Sequence, residues 1–244
     1  MPPWFDTHVH LDRYPIPERE ALLERANEAN VAVFAVAVDL ASSREVSAIT
    51  GLRGRVVGIH PKNAGPDFPE EMHEIARRPG VRAIGECGFD AEGPPWGVQA
   101  ATFEAQCELA RGLDESLVLH VAGPGAWDSL VEHERALAGL RVVRHYFTGD
   151  AAEAAWHRER GHWLSFGNPL RRLPTLREIA HDYPPDLLLI ETDSYPLPGR
   201  DTEPKHVVRI GETLALLRGW TFEQAREQLA QNTQRAFAAF APGS

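Results

Sequence analysis

The 244-residue sequence contains only two cysteines, Cys87 and Cys107. Two cysteines are too few for a disulfide framework or a thiolate zinc site, so a bound metal would need histidine and carboxylate ligands. The chain also lacks an apolar run of the roughly 20 residues that span a bilayer. Its first residues, MPPWFDTHVH, contain neither the basic segment nor the apolar core of a signal peptide. We therefore expect a cytoplasmic protein that does not enter a membrane.

The sequence also has no excess of positive charge. It contains 25 Lys and Arg residues and 35 Asp and Glu residues, which give a net charge of −10. This balance argues against broad, charge-driven wrapping of nucleic acid, although a cationic rim around one site is compatible with it. Hydrophobic residues make up 43% of the chain, as in ordinary globular proteins. The composition therefore excludes a disordered or collagen-like chain.

Short aliphatic runs alternate with segments of helical spacing along the whole chain. The runs lie at residues 4–9, 31–38, 55–59, 81–85, 117–119, 142–146, 163–166 and 187–190. Helical spacing occurs at residues 18–29, 98–114, 126–138, 151–160, 173–183 and 206–218, with weaker candidates after Ala41 and Pro69 and a closing segment that runs from Thr221 to Phe240. Repeated βα units predict a parallel sheet, and eight of them predict an α/β fold of the TIM (β/α)8 barrel type. We expect one domain over residues 1–244.

An open, doubly wound sheet is the alternative fold for repeated βα units. Its usual evidence is a glycine-rich phosphate loop after the first strand. In this sequence the first strand is followed instead by HVHLDRYP. The barrel is therefore favoured.

Histidines and carboxylates follow five of the predicted strands. The six residues concerned are His8, His10, Glu86, His120, His145 and Asp193. The two histidines after the first strand are two residues apart and share one face, and the carboxyl ends of all strands converge on one mouth in a barrel. Imidazole and carboxylate ligands together suit zinc, manganese or iron. Six such ligands can hold two ions, with Glu86 as the bridging carboxylate.

Other polar residues near the strand ends have expected roles of their own. His60 follows the third strand in GIHP and either orients or protonates the substrate or supports a ligand. Asp193 could both bind a metal and take the proton of the attacking water, whereas Glu191 is expected as a buried hydrogen-bonding partner. Cys87 has the opposite strand parity to Glu86 and is expected in the core. Solvated positions are expected for His73, His133, His157, His162, His181 and His206.

Nine ordered blocks extend through nearly the whole chain. They are FDTHVHLD (5–12), GIHP (58–61), AIGECGFD (83–90), QAATFEAQCELA (99–110), LVLH (117–120), HYFTG (145–149), LSFGN (164–168), LLIETDS (188–194) and NTQRAF (232–237). In these blocks the sequence resembles the TatD family of metal-dependent hydrolases, within the amidohydrolase superfamily. Any single block is weak evidence, but nine in the right order are specific.

The resemblance implies a TIM barrel, two divalent ions (zinc, manganese or magnesium) and hydrolysis by a metal-bound water. By analogy, one ion is held by His8, His10, Glu86 and Asp193, and the other by Glu86, His120 and His145. The family is associated with metal-dependent DNase activity, often exonucleolytic. DNA is therefore the expected substrate, and catalytic roles fall to Asp193, Glu86 and His60.

The chain departs from the family pattern around the substrate. Lys62 stands where many members have a second histidine, and we expect it to bind substrate. Val121 and Ala122 stand where a polar residue and an arginine commonly follow the histidine, which removes a phosphate contact. Candidate replacements in or near mouth-side loops are Lys62, Arg171, Arg172, Arg200 and Lys205.

Two other functions stay open at this point. The changed substrate residues and the acidic surface are compatible with a carboxylic ester or amide hydrolase, such as a D-aminoacyl-tRNA deacylase. The chain could also be a partner-dependent nuclease subunit, although a scaffold has no need of six intact ligands. The sequence leaves open the native metal, the polarity of an exonuclease and the oligomeric state.

Overall fold

The computed structural model describes residues 1–197, 199 and 202–237. Its strands are β1 (Trp4–Val9), β2 (Val31–Val36), β3 (Gly54–Val57), β4 (Val81–Asp90), β5 (Ser116–Ala122), β6 (Val142–Arg144), β7 (Trp163–Phe166) and β8 (Leu188–Ile190). Its α-helices are α1 (Ile16–Glu28), α2 (Leu40–Val46), α3 (Glu71–Ile75), α4 (Trp96–Leu113), α5 (Ala126–Glu132), α6 (Ala151–Glu159), α7 (Pro174–Asp182), α8 (Val207–Arg218) and α9 (Phe222–Ala236).

The strands follow one another in the sheet in the order of the sequence, from β1 to β8. The pairings of β1 with β2, of β3 with β4, of β4 with β5, of β5 with β6 and of β7 with β8 are all parallel. The predicted alternation of strands and helices in a parallel sheet is therefore confirmed. Among the described helices, none is long and apolar enough to cross a membrane.

The chain forms two compact units, each built from segments that are distant in sequence. The first contains residues 1–35, 51–53 and the described residues from 145 to 237. Its core includes a group of aromatic rings in which Phe34 lies 4.6 Å from Phe237 and 6.5 Å from Phe5, centroid to centroid. Helix α8 packs closely on β1, because a Cβ at Gly211 would lie only 2.3 Å from the ring of Trp4.

The second unit contains residues 36–50 and 54–144. Strands β4 and β5 pair along most of their length, and α4 packs over β4. Phe89 of β4 and Phe103 of α4 are both buried, with ring centroids 5.2 Å apart. Cys87 is fully buried in this core, as its strand parity predicts.

Several element boundaries differ from the expectations. Strand β4 continues to Asp90, five residues beyond the predicted end, because its pairing with β5 continues to Asp90 and Ala122. The helix expected at 126–138 ends as α5 at Glu132 and continues as a separate 3₁₀ turn. The predicted cap at Thr221 is confirmed, because its hydroxyl accepts a hydrogen bond from the amide of Gln224. Phe240, expected in the same closing segment, lies outside the described residues.

Two histidines were expected in solvent and lie instead in the core. His157 and His162 are buried, and their Nδ1 atoms are 3.0 Å apart. The hydroxyl of Tyr183 donates to the backbone oxygen of His162 at 2.7 Å. The expectation was wrong for His157 because the helical spacing of 151–160 does not show which side of the helix faces β7. His162 lies in the short connection between α6 and β7, whose packing no spacing reveals.

Candidate metal centre

The end of β1 and the segment after β8 are held together by backbone hydrogen bonds. The amide of Asp193 donates to the carbonyl of His8, and the amide of His10 donates to the carbonyl of Ser194, each at 3.0 Å. Asp193 has a φ of 52°, a left-handed conformation that is uncommon for a residue other than glycine. This geometry places the Asp193 carboxylate beside His10, with 3.4 Å between Oδ1 and Nε2.

The charges around Asp193 keep its carboxylate ionised. Burial alone would raise the pKa of Asp193. The hydrogen bond and charge of His10, followed by the charges of His8 and His145, outweigh burial and hold this pKa well below its usual range. Asp193 therefore carries a negative charge at neutral pH.

His8, His10 and Asp193 have the chemistry of a metal-binding set. Each offers a ligand atom, and these atoms lie within 4.8 Å of one another. His8 is completely buried and His10 is 5% exposed, so both rings are held in place by their surroundings. Two imidazoles and one ionised carboxylate suit zinc, manganese and similar divalent ions. The residues present therefore fit the ion that the sequence predicts.

His145 belongs to the same unit and stacks on His8, with 4.0 Å between the ring centroids. Its Nδ1 donates to Oε1 of Glu191 at 3.1 Å, and the amide of Tyr146 donates to the same oxygen at 2.5 Å. Burial would raise the pKa of Glu191, but the charge and hydrogen bond of His145 lower it below its usual value. Glu191 therefore has the buried hydrogen-bonding role expected from the sequence.

Glu86 of β4 and His120 of β5 lie together in the second unit. Nδ1 of His120 is 2.6 Å from Oε1 of Glu86, and Nε2 of His120 is 2.9 Å from Oδ2 of Asp90. Ligand atoms of His60, Asp90 and His120 also lie within 4.8 Å of one another. This unit therefore contains its own group of imidazoles and carboxylates.

Asp90 is a site residue that the sequence analysis missed. Burial alone would raise its pKa, but the hydrogen bonds with His120 and the amide of Glu92, together with the charges of His120 and Lys62, lower it to about 2. Asp90 closes the block AIGECGFD, four residues after Glu86. Its even spacing from Glu86 was the available signal, but the strand was expected to end before it.

The structure also fixes which nitrogen of His60 carries a proton. The backbone amide of Lys62 donates to Nδ1 of His60 at 3.1 Å, so Nδ1 is an acceptor and the proton is on Nε2. Nε2 lies 3.5 Å from Oε1 of Glu86. The N–H donor of His60 therefore faces the carboxylate of Glu86.

The ammonium of Lys62 is paired with two carboxylates. It lies 2.5 Å from Oε2 of Glu92 and 3.7 Å from Oδ2 of Asp90, and the hydrogen bond with Glu92 is the main cause of its raised pKa. Glu92 is largely exposed, and an exposed ion pair of this kind is weak. Lys62 is therefore charged and can exchange Glu92 for another anion at small cost.

Comparisons with known proteins agree with the site chemistry. The sequence matches the family described as TatD related DNase over residues 5–238. The metal-dependent hydrolase YabD of Bacillus subtilis is 29% identical, and the alignment covers 96% of this chain and 98% of YabD. A Klebsiella pneumoniae protein named 3'-5' ssDNA/RNA exonuclease TatD is 32% identical over 71% of this chain and 72% of its own.

Solved structures show the same fold. YJJV, a TatD homologue from Escherichia coli, superposes with a TM-score of 0.83 at 25% identity, covering 97% of this chain and 98% of its own. A TatD family hydrolase from Entamoeba histolytica has the same TM-score at 14% identity, with 98% and 99% covered. These likenesses confirm the TIM barrel predicted from the sequence. Because the family match spans nearly the whole chain, the protein belongs to the family of TatD-related DNases.

Proposed function

We propose that this protein is a divalent-metal-dependent phosphodiesterase that hydrolyses nucleic acid, with single-stranded DNA as the first substrate to test. The observation that carries the proposal is the set formed by His8, His10 and Asp193, whose ligand atoms lie within 4.8 Å of one another and whose two histidines are buried. The relative from Klebsiella pneumoniae, named as an exonuclease on single-stranded DNA and RNA, supports the substrate class. Because that relative is named as an exonuclease, we propose that this protein also releases nucleotides from an end of the strand.

The ligand assignment follows the family resemblance. His8, His10, Glu86 and Asp193 are proposed for one ion, and Glu86, His120 and His145 for a second. Support comes from the ionised Asp193 in one unit and from the contact of Glu86 with His120 in the other. Divalent ions held by these residues would lower the pKa of water and would stabilise the attacking and leaving oxygens of a phosphodiester.

The side chains supply the remaining steps. Asp193 is ionised and is proposed to accept the proton of the attacking water. His60 carries its proton on Nε2 and is proposed to orient the substrate by donating a hydrogen bond from Nε2 to a substrate oxygen. Lys62 is proposed to bind a substrate phosphate by exchanging its contact with the exposed Glu92.

A carboxylic ester or amide substrate is the second candidate. Val121 and Ala122 follow His120 directly on β5, so this chain lacks the arginine that the family pattern leads us to expect there as a phosphate contact. Ions held by the proposed ligands would polarise a carbonyl as well as a phosphoryl oxygen. An aminoacyl ester on tRNA is therefore the alternative to test when DNA is not cleaved.

Turnover of end-labelled DNA distinguishes these functions. Single-stranded DNA labelled at either the 3' or the 5' end is incubated with wild-type protein reconstituted with zinc, manganese, magnesium or cobalt, and bound metal is quantified. We expect a ladder of products that disappears in Glu86→Ala, with less metal bound. Glu178→Ala, at an exposed position on α7, is the matched control and should behave as wild type.

The negative outcomes are equally specific. Failure to cleave DNA with any of the four metals contradicts the proposed nuclease function. Turnover of aminoacyl-tRNA or small acyl esters by the same preparation then favours the ester hydrolase. Cleavage that begins only after a cell extract is added identifies a partner-dependent nuclease subunit.

A further inference from the structure

Three arginines line one surface pocket of the first unit. The pocket has a volume of about 400 Å³ and is lined by Asn168, Arg171, Arg172, Arg177, Thr213 and Leu216. We call it the arginine pocket. Arg171 and Arg172 come from the turn after β7, Arg177 from the first turns of α7, and the last two residues from α8. A local concentration of positive charge is unexpected in a chain with a net charge of −10.

The arginines of this pocket have no ion-pair partner among the described residues, unlike Arg25 and Arg141. Arg25 pairs with Glu203 at 2.7 Å and Arg141 with Asp114 at 3.1 Å. Within residues 1–197, 199 and 202–237, by contrast, none of the three pocket arginines has a carboxylate oxygen within 4.0 Å. The guanidinium of Arg171 donates only to the side-chain oxygen of Asn168, at 3.3 Å. Like charges gathered without a counter-ion are the pattern of a site for an anion.

The arginine pocket begins at the same edge of the sheet as the candidate ligands of its unit. β7 pairs in parallel with β8, with Phe166 opposite Ile190 at their carboxyl ends. The chain reaches Asn168 two residues after β7 and Asp193 three residues after β8. Ser194, next to Asp193, then bridges to Val9 of β1. The turn that carries Arg171 and Arg172 and the segment that carries Asp193 therefore follow neighbouring strands at the same edge of the sheet.

The chemistry of the lining selects a phosphate. A guanidinium presents paired N–H donors that match phosphate oxygens, and Thr213 adds a hydroxyl. Leu216 is 74% exposed and gives the rim an apolar surface on which a sugar can rest. We infer that the arginine pocket binds a backbone phosphate of the nucleic acid strand, at a distance from the bond that is hydrolysed. This inference rests on the proposed nuclease function and adds a second contact that makes cleavage depend on strand length.

Binding without hydrolysis tests the pocket separately from catalysis. The affinity of fluorescently labelled single-stranded DNA is measured by anisotropy in EDTA over a series of salt concentrations. For the variant R171A/R172A/R177A we expect Kd to rise by at least about tenfold at low salt. The slope of log affinity against log salt should fall by about 0.7 for each phosphate of the single strand that the variant no longer neutralises. The control R77A/R135A/R158A removes the same charge from exposed positions on other parts of the chain and should change Kd by less than about twofold.

Turnover of a small diester completes the experiment, since bis(4-nitrophenyl) phosphate cannot reach both sites. We expect the triple variant to hydrolyse it as wild type does, while its kcat/KM on long DNA falls with Kd. Wild-type affinity and salt slope in the triple variant would overturn the inference, even if DNA is cleaved. Equal competition by polyglutamate would also overturn it, in favour of an acidic protein partner. If the wild type binds DNA through the pocket but hydrolyses neither substrate, the proposed nuclease function is contradicted, whereas the inference that the pocket binds a phosphate is supported.

Misfolding of the triple variant does not end the test. Arg172→Ala alone removes an exposed side chain that makes no ion pair with described residues, and it should raise Kd by about threefold. R171K/R172K/R177K keeps the charge but loses the paired donors, and we expect intermediate affinity. Wild-type affinity in Arg172→Ala together with wild-type affinity in the lysine variant would contradict a phosphate site.

Discussion

Nδ1 of His145 donates a hydrogen bond to Oε1 of Glu191 across 3.1 Å, and Glu191 is only 1% exposed. A carboxylate in this position fixes the tautomer of the ring, so that Nε2 is the nitrogen with a lone pair for a metal. The amide of Tyr146 donates to the same oxygen, which ties the carboxylate to the backbone beside the histidine. The orientation of one proposed ligand therefore depends on a residue that is not proposed to touch the ion.

Replacing Glu191 by glutamine should weaken metal binding more than it weakens the fold. Glutamine keeps an oxygen for the Tyr146 amide but removes the negative charge opposite His145. We expect metal affinity to fall by about 10- to 100-fold, measured as metal retained against graded chelator concentrations. Glu178→Gln on the exposed side of α7 is the control. Equal retention by wild type and Glu191→Gln would show that His145 needs no such support.

Asp90→Asn should impair turnover through His120. The substitution keeps the shape of the side chain but removes the charge that lies 2.9 Å from Nε2 of the ring. We expect kcat/KM on a small phosphodiester to fall by at least about tenfold. Glu92→Gln removes the other carboxylate near Lys62 and should change the same constant by less than about twofold, because Glu92 is exposed. Unchanged turnover in Asp90→Asn would restrict the role of Asp90 to holding Lys62.

The difference between Glu86 and Asp90 shows what the sequence reveals about this site. Glu86 was recognised because it directly follows the apolar run of one βα repeat, as other candidate ligands follow the apolar runs of theirs. Asp90 was missed because the apolar run stops at residue 85, whereas β4 continues through its pairing with β5. The register of that pairing shifts between Gly85 and Cys87, and no local pattern reveals a shift that depends on the neighbouring strand.

Charge pairing is hidden from the sequence for the same reason. Arg171 and Arg172 were recognised as candidate phosphate contacts together with Lys62, Arg200 and Lys205. The structure separates them, because Lys62 and Lys205 contact carboxylates whereas the two arginines face an open pocket with Arg177. Arg200 lies outside the described residues. Which basic side chains lie beside a carboxylate depends on the fold and is not visible in the sequence.

Two glycine substitutions should change stability in opposite directions. A Cβ at Gly211 of α8 would lie 2.3 Å from the ring of Trp4, so Gly211→Ala forces two packed elements apart. We expect a loss of about 1–3 kcal/mol in the free energy of unfolding. Gly112 lies on the exposed side of α4 with nothing within 4 Å of the new Cβ. Gly112→Ala should therefore stabilise the protein by up to about 1 kcal/mol, because alanine favours the helix.

Urea denaturation of both variants beside wild type gives these values. The comparison is well matched, since each change adds one methyl group to a helix. If Gly112→Ala lost as much stability as Gly211→Ala, the loss in Gly211→Ala could not be assigned to the contact with Trp4.

The buried His162 should make the fold sensitive to mild acid. Burial, with a smaller contribution from the charge of Arg160, lowers the pKa of His162 to about 4. In the unfolded chain the same ring has a pKa of about 6.5. Between these two values the unfolded state binds more protons than the folded state, so the free energy of unfolding falls as the pH is lowered. The loss begins near pH 6.5 and amounts to about 3 kcal/mol when the pH reaches about 4.

Stability measured against pH in wild type and His162→Gln isolates this contribution. Glutamine does not titrate, so we expect the variant to lose less stability than wild type over that window, although it starts from a lower value at pH 7. Asp90 and Asp193 do not blur the difference, because their lowered pKa values place the loss of their stabilising charge at more acidic pH. His181→Gln, at an exposed position of α7, is the control for the removal of a histidine. Parallel curves for wild type and His162→Gln would mean that the ring titrates in the folded protein as it does in the unfolded chain.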